Sequence, residues 1–566
     1  MQKGRFLLLP ERLLISVTLI AVLFLIMFPV VMLFYGSFRT TAPGQSGDFT
    51  LENYAMVFTS PWYLPTVLNT VIVAILSTAL ACCFGIPLGW IVSRTNVVGR
   101  QALDYLILTP IFISPLLGAV AWTTLASAKI GILNNIVMQL FGFPKPLFDI
   151  YSMWGVIWVM ALYFVPFIYL FVSSALQSMD STLEDASRIC GASGFTTAVR
   201  ITLPMVSPAI LGGLLLVFVL AISTFTVPTV LGSPVGFYVL TSRTFIMLSE
   251  APVDWGLATA MSVTLLVMAF SMLFVYRTLT LRKTFTTITG KAVRATLTSL
   301  SPAKTVLALS FGALYLLLAI VLPFGFIALN SFARFTNDFS SITLANFEWL
   351  SEHPYFWVAL RNSLFVATVG ASITAAMSFV VSWVVLRTKT RLGKLVDYVS
   401  TVPLALPGIV LAVGLLWAWI SVPIGVYGTI WIIIIGSTAV TIPFGIRAAT
   451  SALAQVHGEL EEGAYVCGAT WLQVTRKILI PLIKPGIAAA WVLLFIQFFQ
   501  ELSAVILLWF PDTITVPVLF FEFWGGQGSQ VTRLCALGLV QTIVVFAMIF
   551  LFRKLGKAEL KGISVD

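Results

Sequence analysis

Two nine-residue segments concentrate the reactive side chains of an otherwise apolar chain: EDASRICGA from Glu184 and EEGAYVCGA from Glu461. Carboxylates beside a thiol suggest a metal site or an activated nucleophile, but the rest of the inventory supports neither. The chain holds five cysteines and two histidines, His353 and His457. None stands at the spacing of a structural or catalytic metal site. Nor is there a grouping of nucleophile, base and oxyanion donors that an enzyme would need. No catalytic residue, no metal ligand and no cofactor is therefore expected in this chain. The chemistry of the two segments lies in what they are attached to and what they touch.

The elements that carry them are membrane helices. The composition is 59% hydrophobic and 10% charged, with a mean hydropathy of +1.02, far from that of soluble domains. Twelve apolar runs are long enough to cross a bilayer. They fall at about 12–38, 64–92, 104–127, 152–178, 208–232, 256–276, 305–330, 358–386, 397–420, 428–452, 486–509 and 531–552. The expected fold is all-α and polytopic, with about 12 spans in two parallel six-helix repeats. The first run is too long for a signal-peptide core and is read as a membrane anchor.

Lys and Arg set the orientation. With both termini cytoplasmic, all 32 basic residues fall on the inner side except Arg39, Lys129, Lys145, Arg243, Arg334, Arg361 and Arg533. The acidic residues divide evenly, so the net charge of +10 is a topology signal and not a sign of nucleic-acid binding. Two basic runs face anionic lipid: Arg282, Lys283, Lys291 and Arg294, and Arg553, Lys554, Lys557 and Lys561. Cys190 and Cys467 then lie in cytoplasmic loops, where thiols stay reduced. Cys82, Cys83 and Cys535 lie in membrane runs, and all five read as small apolar filler.

The chain repeats itself. Asn69, Trp90, Arg94, Asp104 and Pro110 recur 293 residues later as Asn362, Trp383, Arg387, Asp397 and Pro403. From Glu184 onward the offset is 277, as in Gly191 and Gly468 or Pro204 and Pro481. The first half therefore carries about 16 extra residues, supplied by the outer stretch 128–150. The resulting organisation is a first repeat at 1–278, a basic cytoplasmic linker at 279–304 and a second repeat at 305–566. Spans six to a half make the repeats parallel, and substrate paths run along such repeat interfaces.

The repeated segments occupy the cytoplasmic loop between the fourth and fifth spans of each half, about 180–208 and 457–485. Ser181 with Glu184 forms a capping-box pattern, and Asp185 suits the positive end of the helix dipole. Gly191 ends or bends this helix, and Ser193 caps a second one running to Pro204. An ordinary solvated connector needs neither the caps nor the repetition.

At these residues the chain resembles the permeases of binding-protein-dependent ABC importers. Their EAA signature is matched by Asp185-Ala186-Ser187, Gly191 and an ITLP ending at Pro204. It is matched again by Glu462-Gly463-Ala464, Gly468 and an ILIP ending at Pro481. The resemblance covers the chain as two fused permease units in a bacterial cytoplasmic (inner) membrane. It implies that Glu184, Asp185, Ala186 and Gly191, with Glu461, Glu462, Ala464 and Gly468, couple to two copies of an ABC ATPase subunit. ATP and Mg would bind on that subunit, since no G-x-x-x-x-G-K-[ST] occurs here. An external binding protein, periplasmic or lipid-anchored, would deliver the substrate, and the outer stretch 128–150 with Lys129 and Lys145 would help to dock it.

Fused permeases of this length look most like ferric-iron importers, through QELSAVILL from Gln500 and DSTLEDASRICGAS from Asp180. Thiamine, phosphonate, polyamine and sulfate permeases are the alternatives. In the family the fifth span of each half lines the pore. The 277 offset sets Ser223, Thr224 and Thr226 opposite Gln500, Glu501 and Ser503, with Gln497 one turn before Glu501, as polar groups at lipid depth that need partners or water. Glu501 has two open readings: a transient site for a passing cation, or a backbone acceptor at the outer helix end. An ion-coupled secondary transporter is the reading of another class. It expects ionisable groups in mid-membrane, where only Glu501 lies clearly, with Asp104 and Asp397 near inner span ends.

Overall fold

The structure is a computed structural model, and it describes residues 9–129, 131–179, 182–281, 297, 299–387, 391–421, 425–526 and 531–562. The expected cap at Ser181 and the linker cations Arg282, Lys283, Lys291 and Arg294 lie outside the described residues, as do the side chains of Arg553, Lys554, Lys557 and Lys561.

Among the described residues the chain is helical, without strands, and ten helices are long and apolar enough to span a bilayer. The bent pair in the third span of the first half makes an eleventh, and the third span of each half is broken where one continuous helix was expected. In the first half the run 104–127 is two helices, Arg100–Phe112 and Pro115–Ala126, bent by 96°. Pro115 causes the break, because proline has no N–H to continue a helix and forces the preceding residue extended, whereas Pro110 lies in the 3₁₀ turn Thr109–Phe112 that closes the first helix. Ser114 has ψ 126° and Pro115 starts the new helix. In the second half Pro403 lies in the turn Val402–Ala405 and Pro407 directly before the next helix, leaving Arg391–Thr401 and the fourteen-residue helix Gly408–Ser421.

The fifth spans are also shifted from expectation, to Ala198–Ser223 and Trp471–Gln500. The prolines of the ITLP and ILIP motifs do not stop the helix, because each is preceded by a π-turn. Ala198–Thr202 precedes Pro204, and Thr475–Leu479 precedes Pro481. Leu203 N–H bonds Ala198 O and Ile480 N–H bonds Thr475 O, one residue further back than in an α-helix. The widened turn makes room for the proline ring, which would otherwise collide with the carbonyl four residues before it. The second arm of each cytoplasmic loop thus runs unbroken into the membrane.

Two compact units emerge, and they cut across the sequence repeats. The first unit joins the chain up to Val57 and Thr244–Val263 to everything from Thr343 onward. The second joins Phe58–Arg243 to Thr264–Ile342. Each half has therefore exchanged its first span. In the first unit the helix Leu9–Ser37 packs on Gly408–Ser421 through two glycines. A Cβ on Gly414 would stand 2.5 Å from the Pro29 carbonyl oxygen, and one on Gly36 would stand 2.5 Å from the Trp417 ring. In the second unit the span Pro302–Ser331 receives Leu103 against Gly312, stacks Phe311 on Phe84 at 5.6 Å, and bonds Tyr315 Oη to Leu162 O at 3.3 Å.

The outer insertion contains the helix Ile132–Phe141, ended by Gly142 at φ +70°. Asn134 closes it, donating to Ser127 O and Phe148 O and accepting Phe148 N–H, all at 2.8–2.9 Å.

Candidate functional site

The two cytoplasmic loops fold alike. Thr182–Ile189 and Gly458–Val466 are the first arms. Each ends in a Schellman motif, in which a left-handed residue lets the chain close the last turn. Ala192 N–H bonds Ser187 O at 3.1 Å and Ala469 N–H bonds Ala464 O at 3.1 Å. The left-handed residue is Gly191 in one and Gly468 in the other, both at φ +83°. The second arms are capped as their sequences require. Ser193 Oγ accepts Thr196 N–H at 3.2 Å, and Thr470 forms a complete capping box with Gln473. Ser187 Oγ meets Thr197 Oγ1 at 2.9 Å and ties the two arms of the first loop together.

The carboxylates divide between two jobs. Glu184 and Glu461 turn inward and are buried, Glu461 completely. Glu184 accepts from Thr202 Oγ1 at 2.7 Å and lies 3.7 Å from Arg94 Nε. Glu461 accepts from Arg387 Nε at 2.7 Å and from Trp383 Nε1 at 3.1 Å. Two buried charges are tolerable only when paired in this way. Neither carboxylate is presented at the loop surface; both hold the loop from behind. Asp185 is half-buried, and Ala186 and Glu462 are exposed, with Ala464 half-buried beside the turn.

Sequence reasoning overlooked the side chains that the loops display. Leu183 and Ile189 are exposed in the first copy, as are Leu460 and Val466 at the same positions in the second, with Ile189 at 87% and Val466 at 88%. Cys190 and Cys467 stand exposed next to them. Arg94 and Arg387 are visible in the sequence as repeats without an evident role; the available signal was that a basic residue and an acid, Glu184 or Glu461, are both repeated.

The residues assigned to the fifth spans lie at or beyond the helix ends. Ser223 and Thr224 hydroxyls return to their own helix, on Val219 O and Leu220 O at 2.8 and 2.9 Å. Thr226 begins the short helix Thr226–Gly232. In the other copy Gln497 and Gln500 are the last polar residues of the helix, and Glu501 comes next in extended backbone at ψ 116°. Glu501 Oε1 accepts Ala504 N–H at 2.9 Å, and a Cβ on Gly408 would stand 3.2 Å from that oxygen. Of the two roles open to Glu501, the backbone acceptor is the one this geometry supports. All seven residues, Ser503 included, are partly exposed among buried apolar neighbours.

The sequence pattern of the binding-protein-dependent transport system inner membrane component matches residues 85–285 and, a second time, residues 378–557. The chain belongs to this family. It is a fused two-unit permease, and each match contains one of the two loops. A ferric transport system permease protein, FbpB of Actinobacillus pleuropneumoniae, is 25% identical over 552 residues, covering 95% of this permease and 77% of the relative. The Fe(3+)-transport system permease protein FbpB 2 of Haemophilus influenzae is 24% identical over 461 residues, covering 80% and 83%. The spermidine/putrescine transport system permease protein PotB of Escherichia coli is 28% identical over 228 residues, covering 40% of this permease and 82% of its own chain. Among solved structures, a bacterial ABC transporter that imports the polysaccharide alginate aligns with a TM-score of 0.41 at 19% identity, over 49% of the permease and 97% of that chain. Family membership removes the ion-coupled secondary transporter as a reading.

Proposed function

We propose that this permease forms the membrane pathway of an ATP-driven importer for ferric iron. In this reading both termini are cytoplasmic, the loops at 180–208 and 457–485 each seat in one of two ATPase subunits, and an external binding protein delivers the iron. ATP and Mg are held by the ATPase subunits. The observation that carries it is the doubled apolar tip, Leu183 and Ile189 in one loop and Leu460 and Val466 in the other. Exposed apolar side chains on a capped, rigid turn are costly in water and mark a protein interface. Two copies of that interface on one chain suit two copies of one partner.

Iron is the cargo favoured by two relatives that match over most of this chain and carry ferric transport names. The polar ends of the fifth spans, Ser223, Thr224, Thr226, Gln497, Gln500 and Ser503, are proposed to line its path, with Glu501 committed to its turn. The outer insertion, with Lys129 and Lys145 beside exposed Leu140 and Phe141, is proposed to meet the binding protein. The test is reconstitution with the ATPase and with binding proteins loaded with ferric iron or with a polyamine. Stimulation of ATP hydrolysis by the iron-loaded protein alone supports the reading; stimulation by the polyamine-loaded one replaces the cargo.

A further inference from the structure

The second span of each half, Leu64–Arg94 and Phe356–Arg387, is fastened at both ends in the same way. At the inner end Arg94 and Arg387 hold the buried Glu184 and Glu461 of the loops. Arg94 Nη2 also donates to Met179 O at 3.2 Å, and Arg387 Nη2 to Val456 O at 2.7 Å, so each arginine grips the backbone entering its loop. The pair therefore fixes the loop as a body to the end of the span.

At the outer end the fastening is to backbone. Asn69 Nδ2 donates to Tyr238 O at 3.1 Å, and the neighbouring Thr70 Oγ1 accepts Leu240 N–H at 2.9 Å. Asn362 Nδ2 donates to Asp512 O and Ile514 O at 2.9 and 3.0 Å, and the neighbouring Ser363 Oγ accepts Val516 N–H at 2.8 Å. Each gripped segment lies just beyond the polar end of a fifth span. Asn and Arg stand 25 residues apart on both helices, about 38 Å at the α-helical rise. Gly85 and Gly89, on either side of Pro87, seat the first of these helices directly on Ile168 and Val172.

We infer that each second span is a connecting rod. It carries the position of its cytoplasmic loop to the outer backbone segment beyond the fifth span, so that ATPase closure inside is felt at the outer mouth of the path. This rests on the coupling reading above. The inner and outer fastenings are positioning residues, acting through the loop and the gripped segment and not on the cargo. A continuous helix held by charge at one end and by backbone bonds at the other transmits displacement with little slack, whereas a contact at one end alone would not.

The experiment uses the full permease with its ATPase in cells, and a reporter cysteine at the exposed Asp512 (Asp512→Cys). Its rate of modification by a membrane-impermeant maleimide is compared between a hydrolysing ATPase and one that binds ATP without hydrolysing it. Unaltered rods should give two distinct rates. Glu184→Gln with Glu461→Gln, and separately Asn69→Ala with Asn362→Ala, should merge the rates and lower ferric-iron uptake about tenfold, an ordinary size for coupling between sites. The ATPase should still co-purify in both. Retained rate differences and uptake in either double variant, with the ATPase bound, would overturn the rod. If the glutamine variants fail to accumulate, Thr70→Ala with Ser363→Ala removes only two outer hydroxyls and is held to the same outcomes. An ATPase that never co-purifies with the unaltered chain would instead overturn the coupling reading beneath it.

Discussion

Gly191 and Gly468, 277 residues apart, share a backbone φ of +83°, and a Cβ added to either would meet nothing within 4 Å. Space does not demand glycine at these turns; backbone conformation does. A left-handed residue other than glycine costs about 1–2 kcal/mol, most for β-branched side chains and least for Asn. Gly191→Val with Gly468→Val should uncouple ATP hydrolysis from uptake while the ATPase stays bound. Gly→Asn at both sites should keep most uptake. Uptake and subunit retention measured together check this, and full uptake in the Val pair contradicts it.

The exchanged first span is held by close approach at Gly414 and Gly36. Gly414→Leu would drive a side chain into the Pro29 carbonyl, and overpacking of this kind costs about 1–3 kcal/mol. Thermal unfolding of the detergent-purified permease should begin at lower temperature in Gly414→Leu. Gly325→Leu, in the other exchanged span with nothing near its Cβ, should leave it unchanged.

Asn134 makes three hydrogen bonds that close the outer insertion. Asn134→Ala removes all three; Ser127 O keeps the Gly131 N–H, and the exposed Phe148 N–H and carbonyl exchange their partner for water, at about 0.5–1.5 kcal/mol each. If the insertion docks the binding protein, stimulation of ATP hydrolysis by that protein should fall while hydrolysis without it stays the same. Equal stimulation would leave the insertion without a docking role.

Glu501 accepts the Ala504 N–H in the turn after the fifth span. Glu501→Gln keeps a carbonyl oxygen there, so expression and uptake should remain near those of the unaltered chain. Glu501→Ala removes the acceptor and should reduce folded yield. Slow uptake in a well-folded Glu501→Gln would return the charge to the path.

The two loop turns were legible in the sequence. Cys-Gly-Ala after an acidic helix start, seen twice, specified both of them, and Ser193 was recognisable as a cap from its place before the second arm. The local rules failed at helix ends near proline, where the surrounding turn geometry decides the outcome. Pro115 broke an apolar run that hydropathy reads as continuous, whereas Pro204 and Pro481 interrupted nothing, because π-turns absorbed them. The exchange of first spans left no local mark, since Leu9–Ser37 is apolar all round and its partner glycine Gly414 lies some 380 residues away. The pairing of Arg94 with Glu184 required three dimensions, although the repetition of both residues was in plain view.

If two loops of one chain each seat in an ATPase subunit, the complex covers the native thiols at their tips. Cys190 and Cys467 are exposed beside Ile189 and Val466, whereas Cys535 is buried. The permease, purified alone and with its ATPase, is treated with a maleimide, and the modified peptides are quantified by mass spectrometry. Protection of both Cys190 and Cys467 in the complex, with both reactive in the permease alone, is the expected result. A stoichiometric complex in which either thiol reacts as fast as in the isolated permease would contradict it.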